Sequence, residues 1–268
     1  MWRVVAVTVA RADQDTDARR AFRELLEVPT ADQFRQFGEG DTRPSVEAYL
    51  SEAAVNHVVP IPDGLEDHIA APTLCAGLTV YKGLKVSNTK VGDWVAIPGA
   101  GGGLGHMAVQ YAVAMGLRVV AIDTGDDKRD MCLSRGVERW IDFKTSANVV
   151  EDVRKATGGL GPHAAVITSP IGSAYDQAFE YLRPVGTLVA IGMPTGYSFK
   201  YTVLEIIAKN LRIVGSAVGN LQDAIEALDL VNRGKVQAHI TLHKLDEIND
   251  IFKDMHDGKL VGRAVIRF

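Results

Sequence analysis

The stretch that decides the fold is Trp94–Ala112, WVAIPGAGGGLGHMAVQYA. Its first four residues, Trp94–Ile97, form an apolar run that reads as a buried strand. From Gly105 onward, small and apolar residues read as a helix. Between the two lies Gly99-Ala100-Gly101-Gly102-Gly103-Leu104-Gly105. Glycines there allow a tight turn, let backbone N–H groups approach a pyrophosphate and let the helix pack close to the strand. The helix start adds unpaired N–H groups and a positive dipole end. The strict G-x-G-x-x-G spacing is not met, since counting from Gly99 brings the third position onto Leu104. A glycine-rich turn that holds no ligand therefore stays open at this point.

The next element outward narrows the choice. The apolar run Arg118–Ile122 ends on Asp123, 18 residues after Gly105. An acidic side chain there accepts from the adenosine ribose hydroxyls and opposes a 2′-phosphate by charge, so NAD is expected over NADP. The same residue would also serve as the cap of the following helix. Turn and acid together favour a dinucleotide.

Beyond this unit the pattern repeats. Strands are expected at Trp94–Ile97, Arg118–Ile122, Arg139–Ile141, Ala164–Thr168, Thr187–Ile191, Leu211–Val214 and Ala264–Ile266. Helices are expected at Gly105–Met115, Asp127–Arg135, Ala147–Thr157, Ser173–Leu182, Thr202–Ala208, Leu221–Arg233 and Asp246–Met255. Strands rich in Val, Ile and Ala without polar alternation suit a sheet covered on both faces. Their alternation with helices gives an α/β fold with a doubly wound, parallel, Rossmann-type sheet, residues 91–268 forming an NAD-binding domain plus a carboxyl-terminal strand. Residues 1–90 are less regular. Arg3–Val9 reads as a buried strand rather than a targeting segment, and Ala21, Phe22, Leu25 and Leu26 mark one face of a short helix. Phe37–Arg43 reads as a loop, Val58–Gly64 as an extended segment with a turn, and Ala70–Leu84 as a helix.

Composition excludes other classes. The chain has 268 residues, 47% hydrophobic and 23% charged, with a formal net charge of −4. That balance offers no global basic field for nucleic acid or an anionic membrane. No apolar run approaches the roughly 20 residues of a membrane helix. Two cysteines, Cys75 and Cys132, are too few for a disulfide framework or a four-cysteine zinc site. Both are expected to be reduced, in keeping with a cytoplasmic protein.

From about Asp41 to Phe268 the chain resembles the zinc-dependent alcohol dehydrogenases of the medium-chain dehydrogenase/reductase family, in their fungal and bacterial NAD-linked form. The resemblance rests on HVVPIPDGL, AAPTLCAGLTVYKGLK, VGDWVAIPGAGGGLGHMAVQYAVAMG, VVAID, IDF, LVAIGMP, IVGSAVGN and KLVGRAVI, in family order. It implies strand order 3-2-1-4-5-6 and a cleft at the carboxyl ends of the strands. Gly102, Gly103, Leu104 and Gly105 then correspond to the pyrophosphate turn, and Asp123 and Lys128 to the ribose contacts. Ser169 and Pro170 stand where the cofactor passes the fourth strand. Met193 and Ala217-Val218 correspond to backbone contacts of the nicotinamide amide, Arg263 to a pyrophosphate arginine and Thr79 to a residue against the nicotinamide. Lys128 reads equally well as a solvated helix-start charge. His106 reads as an exposed helix residue or a phosphate contact.

The resemblance breaks at the metal. Cys75 matches the second catalytic cysteine, but residues 1–74 contain no cysteine, and their only histidines are His57 and His68. The implied barrel-like catalytic domain has no counterpart, and residues 1–90 are expected to be its remnant with a divergent start. Catalytic zinc takes three protein ligands, so a zinc-free NAD(H)-binding oxidoreductase acting on a small molecule is expected. Cys75, Thr79 and Tyr81 are the candidate catalytic side chains. A non-redox enzyme of lyase or cyclase type, or a non-catalytic NAD-binding or assembly protein, are the alternatives. The family's edge-strand pairing implies a homo-oligomer.

Overall fold

The computed structural model describes residues 59–198 and 200–267. The strand, helix face and loop expected at Arg3–Val9, residues 21–26 and Phe37–Arg43 lie outside the described residues, as does His57. The first described elements are α1 (Asp67–Pro72), a π-helical turn (Thr73–Gly77) and α2 (Leu78–Val86). They run as one helical segment where a single helix was expected over Ala70–Leu84, with Cys75 in the π turn.

An alternating series follows: β1 (Trp94–Pro98), α3 (Gly105–Ala114), β2 (Arg118–Asp123), α4 (Asp126–Ser134), β3 (Arg139–Asp142) and α5 (Val149–Ala156). It continues through β4 (Ala164–Ile167), α6 (Gly172–Tyr181), β5 (Thr187–Ala190), α7 (Val203–Lys209), β6 (Arg212–Gly215) and α8 (Leu221–Asn232). The six strands form one parallel sheet in the order β3-β2-β1-β4-β5-β6. The two innermost strands, β1 and β4, are apolar and buried throughout because helices cover both faces. Val95, Ile97, Val119 and Ala121 bury into one core with Met107, Tyr111 and Leu84. Ala96, Val120, Ile122 and Ile167 bury into the other with Phe179, Tyr181 and Leu188.

The expected carboxyl-terminal strand stands apart from the six-stranded sheet. β8 (Arg263–Ile266) does not extend the six-stranded sheet; it pairs in parallel with β7 (Ile240–His243) to make a separate two-stranded sheet. Helix α9 (Ile248–His256) joins the two. Strand order reverses between β1 and β4, and such a switch point opens a crevice at the strand ends.

Candidate dinucleotide-binding site

The turn after β1 is fixed by its own backbone. Gly99 adopts φ 82°, and its N–H donates to the Ile122 carbonyl at 2.8 Å, tying the turn to the end of β2. At Gly105 no side chain fits, since a Cβ would lie 2.0 Å from the Gly99 carbonyl oxygen. Helix α3 therefore begins hard against the strand. The N–H groups of Gly103 and Leu104 donate to no acceptor among the described residues. Free donors at a helix start, with the dipole behind them, suit an anionic oxygen.

Two cationic side chains cover this turn. A Cβ on Gly101 would stand 2.5 Å from Lys128 Cβ, and one on Gly103 would stand 2.8 Å from Arg263 Cδ. Both glycines thus make room for a neighbouring cation's stem. Asp123 completes the arrangement with only 6% of its surface exposed. Its carboxylate accepts from the N–H of Gly101 and of Thr124, each at 2.8 Å, and lies 3.4 Å from Lys128 Nζ. It does not cap the following helix, whose N-cap is Gly125. The Gly101 N–H is committed to Asp123, which leaves Gly103, Leu104 and Gly105 with free N–H groups in the turn. The Asp123 oxygens keep further acceptor capacity.

Across the switch point, Ser169 is wedged between two glycines. Its nitrogen lies 2.9 Å from the Cβ position of Gly99, and its carbonyl oxygen 2.1 Å from that of Gly192. Pro170 is exposed beside it. Met193 is 80% exposed and Val218 48% exposed. Val218 holds φ 50°, a left-handed conformation that strains a β-branched residue and is characteristic of functional sites. The next residue, Gly219, lets α2 approach: its Cβ position is 2.5 Å from Leu78 Cδ1.

The three candidate catalytic side chains do not converge. Cys75 Sγ lies 3.6 Å from Arg263 Nη2, beneath the glycine turn's arginine. Thr79 donates its hydroxyl to the Cys75 carbonyl at 2.6 Å, one helical turn back. Tyr81 faces elsewhere. Its hydroxyl donates to Glu226 at 2.6 Å, and its buried ring stands edge-on to Tyr111 with centroids 5.4 Å apart. Burial and the Glu226 carboxylate push its pKa up, so it is a poor proton donor. It belongs to a polar lock in which Lys82 and Lys85 pair with Asp223 at 2.9 and 2.8 Å, joining α2 to α8.

His106 also differs from expectation. It is 2% exposed, and both ring nitrogens are engaged within the protein, by the Gly102 carbonyl at 3.0 Å and the His239 N–H at 3.2 Å. Burial holds its pKa down at about 4. It is neither an exposed helix residue nor a free phosphate ligand. The sequence pattern missed this because the partner main chain, just before β7, comes from 133 residues away.

With this geometry in view, comparison with known proteins is informative. The profile of the zinc-binding dehydrogenases matches residues 103–233. The chain is 44% identical over 214 residues to an alcohol dehydrogenase of Schizosaccharomyces pombe, covering 80% of this chain and 61% of that protein. The chain is thus similar to the zinc-binding dehydrogenases over its glycine turn and sheet, and it spans about 61% of the length of the curated alcohol dehydrogenases it matches. Among solved dehydrogenase structures, it is similar to the alcohol dehydrogenase of Aeropyrum pernix (TM-score 0.70, 30% identity, 76% of this chain and 60% of that one). It is similar also to acetophenone reductase of Geotrichum candidum in complex with NAD (TM-score 0.69, 25% identity, 78% of this chain and 58% of that one).

The zinc that gives this dehydrogenase family its name finds no fitting donor set among the described residues. No group of three or more His, Cys, Asp or Glu side chains there is placed to hold a metal ion. Cys75 has a guanidinium beside it instead of a second donor. Both described cysteines are free thiols. Among the described residues, no helix is long and apolar enough to cross a membrane.

Proposed function

We propose that this dehydrogenase-like protein binds NAD(H) across the β1–β4 switch point and acts as a zinc-free oxidoreductase on a small molecule. One observation carries the reading: unspent backbone donors at the start of α3, Gly103 and Leu104 among them, sit under the Lys128 and Arg263 side chains, beside a buried Asp123. Gly103 and Leu104 bind the pyrophosphate, aided by Arg263 and the α3 dipole. Asp123 and Lys128 take the adenosine ribose, and the Asp123 charge disfavours a 2′-phosphate. Gly99, Gly101, Gly102 and Gly105 give the backbone its path. Ser169, Pro170, Met193 and Val218 border the nicotinamide end, with Cys75 and Thr79 approaching from the π turn and α2. The nicotinamide, once bound, supplies the hydride chemistry. The chain's own residues bind it, orient it and exclude water from the pyrophosphate end.

The same reading includes a homo-oligomer. β6 is one of the two edge strands of the sheet, and Ile213 on it is exposed together with Val203, Leu204 and Ile207 of α7. An unpaired edge flanked by apolar side chains favours self-association. Light scattering at micromolar concentration is expected to show a dimer or larger assembly. For the metal, elemental analysis is expected to find zinc below about a tenth of an equivalent, with simple alcohols not oxidised at a useful rate. About one zinc per chain, lost with ethanol-dependent NAD reduction in Cys75→Ala, would overturn the zinc-free reading.

A further inference from the structure

We infer that His106 is a positioning residue that sets Arg263 over the glycine turn, and so governs pyrophosphate affinity without touching the dinucleotide. The inference rests on the proposed dinucleotide site and adds a residue and a mode of action to it.

The path is continuous. His106 Nε2 accepts from the His239 N–H at 3.2 Å, so that nitrogen carries no proton. The neutral ring then holds its proton on Nδ1, which donates to the Gly102 carbonyl at 3.0 Å. One ring therefore links the turn to the segment preceding β7. The His239 carbonyl in turn accepts from the Arg263 N–H at 2.9 Å, the first rung of the β7–β8 ladder that pairs Ile240 with Arg263. The Arg263 side chain then runs back over Gly103, with Cδ 2.8 Å and Nη1 3.2 Å from the Cβ position there.

A second buried polar side chain supports the same attachment. Gln110, one turn further along α3, donates to the Gln237 carbonyl and accepts from the Gln237 N–H, both at 2.9 Å. The two residues share one face of α3. Buried polar groups are costly unless paired, and here both are spent on main-chain atoms of residues 237–239. No contact of this kind is needed merely to build α3, whose backbone bonds are internal. Its effect is to place the separate two-stranded sheet, and the arginine it carries, at a fixed height above the turn.

The test is a rescue experiment combined with a double-mutant cycle, read by titration with NADH and with adenosine. In Gln the side-chain amide reaches the place of Nε2 and keeps an acceptor for the His239 N–H. In Asn it reaches only the place of Nδ1. His106→Asn is expected to weaken NADH binding about tenfold, the worth of one buried link, and His106→Gln to recover most of that loss. Adenosine, which lacks the pyrophosphate, is expected to bind both variants as it binds the parent. In an Arg263→Ala background, His106→Asn is expected to cost less than about twofold further, because the group it positions is gone. Full additivity of the two substitutions, equal losses for Asn and Gln, or a parallel loss of adenosine binding would each overturn the inference. Parent protein that fails to bind NADH at all would instead overturn the dinucleotide site itself.

Discussion

The two ends of the crevice are built differently. At the end proposed for adenosine, Asp123 is buried and accepts from Gly101 and Thr124, with Lys128 and Arg263 packed on the glycines. At the end proposed for the nicotinamide, Met193 stands 80% exposed, Val218 sits in a strained backbone region, and the Thr79 hydroxyl donates to Cys75 one turn back. The first end is over-determined and comes from one βαβ unit plus a single remote arginine. The second is assembled from the π turn, α2 and the loops after β4, β5 and β6. In the proposed site, cofactor binding would rest on a rigid half, and substrate chemistry on a half with few fixed contacts. Stability of a region scales with such contacts.

Breaking the rigid end gives the largest expected effect. Gly105→Val would drive side-chain carbons into the Gly99 carbonyl and the Ala100 backbone. NADH binding is expected to vanish, with a loss of about 3 kcal/mol or more in chemical denaturation. Retained affinity would show that the turn is not the binding element. Next, Asp123→Ser is expected to weaken NADH binding about tenfold and to narrow the preference over NADPH. Parallel titrations of the two cofactors measure both.

Acid sharpens the comparison further. Burial, helped by the nearby charges of His239, Arg263 and Arg135, depresses His106 to about 4. An unfolded histidine protonates first, so stability is full above about pH 6.5 and falls as pH drops toward 4. Asp223 is held at about 2 against its burial by Lys85, Asn220 and Lys82, and Glu226 also at about 2 by Lys85, Tyr81 and Gln222. Their contribution is present above the ordinary carboxylate range and is lost as pH falls from about 4 toward 2. Denaturation across pH is expected to show two stages. His106→Gln should remove the upper stage, and Tyr81→Phe should lower overall stability by about 1 kcal/mol while leaving NADH affinity unchanged.

The smallest effect compares two strained valines. Val185 and Val218 hold φ 64° and 50°. Val185 is exposed in the turn before β5, where its N–H donates to the Lys209 carbonyl. Glycine at either position is expected to raise stability by a few tenths to about 1 kcal/mol. Only Val218→Gly should alter NADH affinity. Equal effects of the two on binding would remove Val218 from the site.

What the sequence made legible follows the same division. The β1 turn, Asp123 and the strand–helix alternation are local patterns, so the six-stranded sheet and the glycine turn with Asp123 beside it could be read directly. Tyr81 could not be placed by proximity to Thr79, because two residues along a helix turn a side chain by about 200° to the opposite face. His106 sits next to the last glycine, yet its role is set by the main chain at His239 and by a strand pairing that no local pattern reveals. β7, with its polar ITLH sequence, lacks the apolar signature of the central strands and escaped notice as a partner for β8.

The most direct test of the dinucleotide site is paired titration of the purified protein with NADH and NADPH, followed by nicotinamide fluorescence, with Arg263→Ala as control. Saturable NADH binding, tighter than NADPH and weakened at least about tenfold by the substitution, is the expected result. NADPH binding as tight as NADH, or affinity untouched by loss of Arg263, would contradict it.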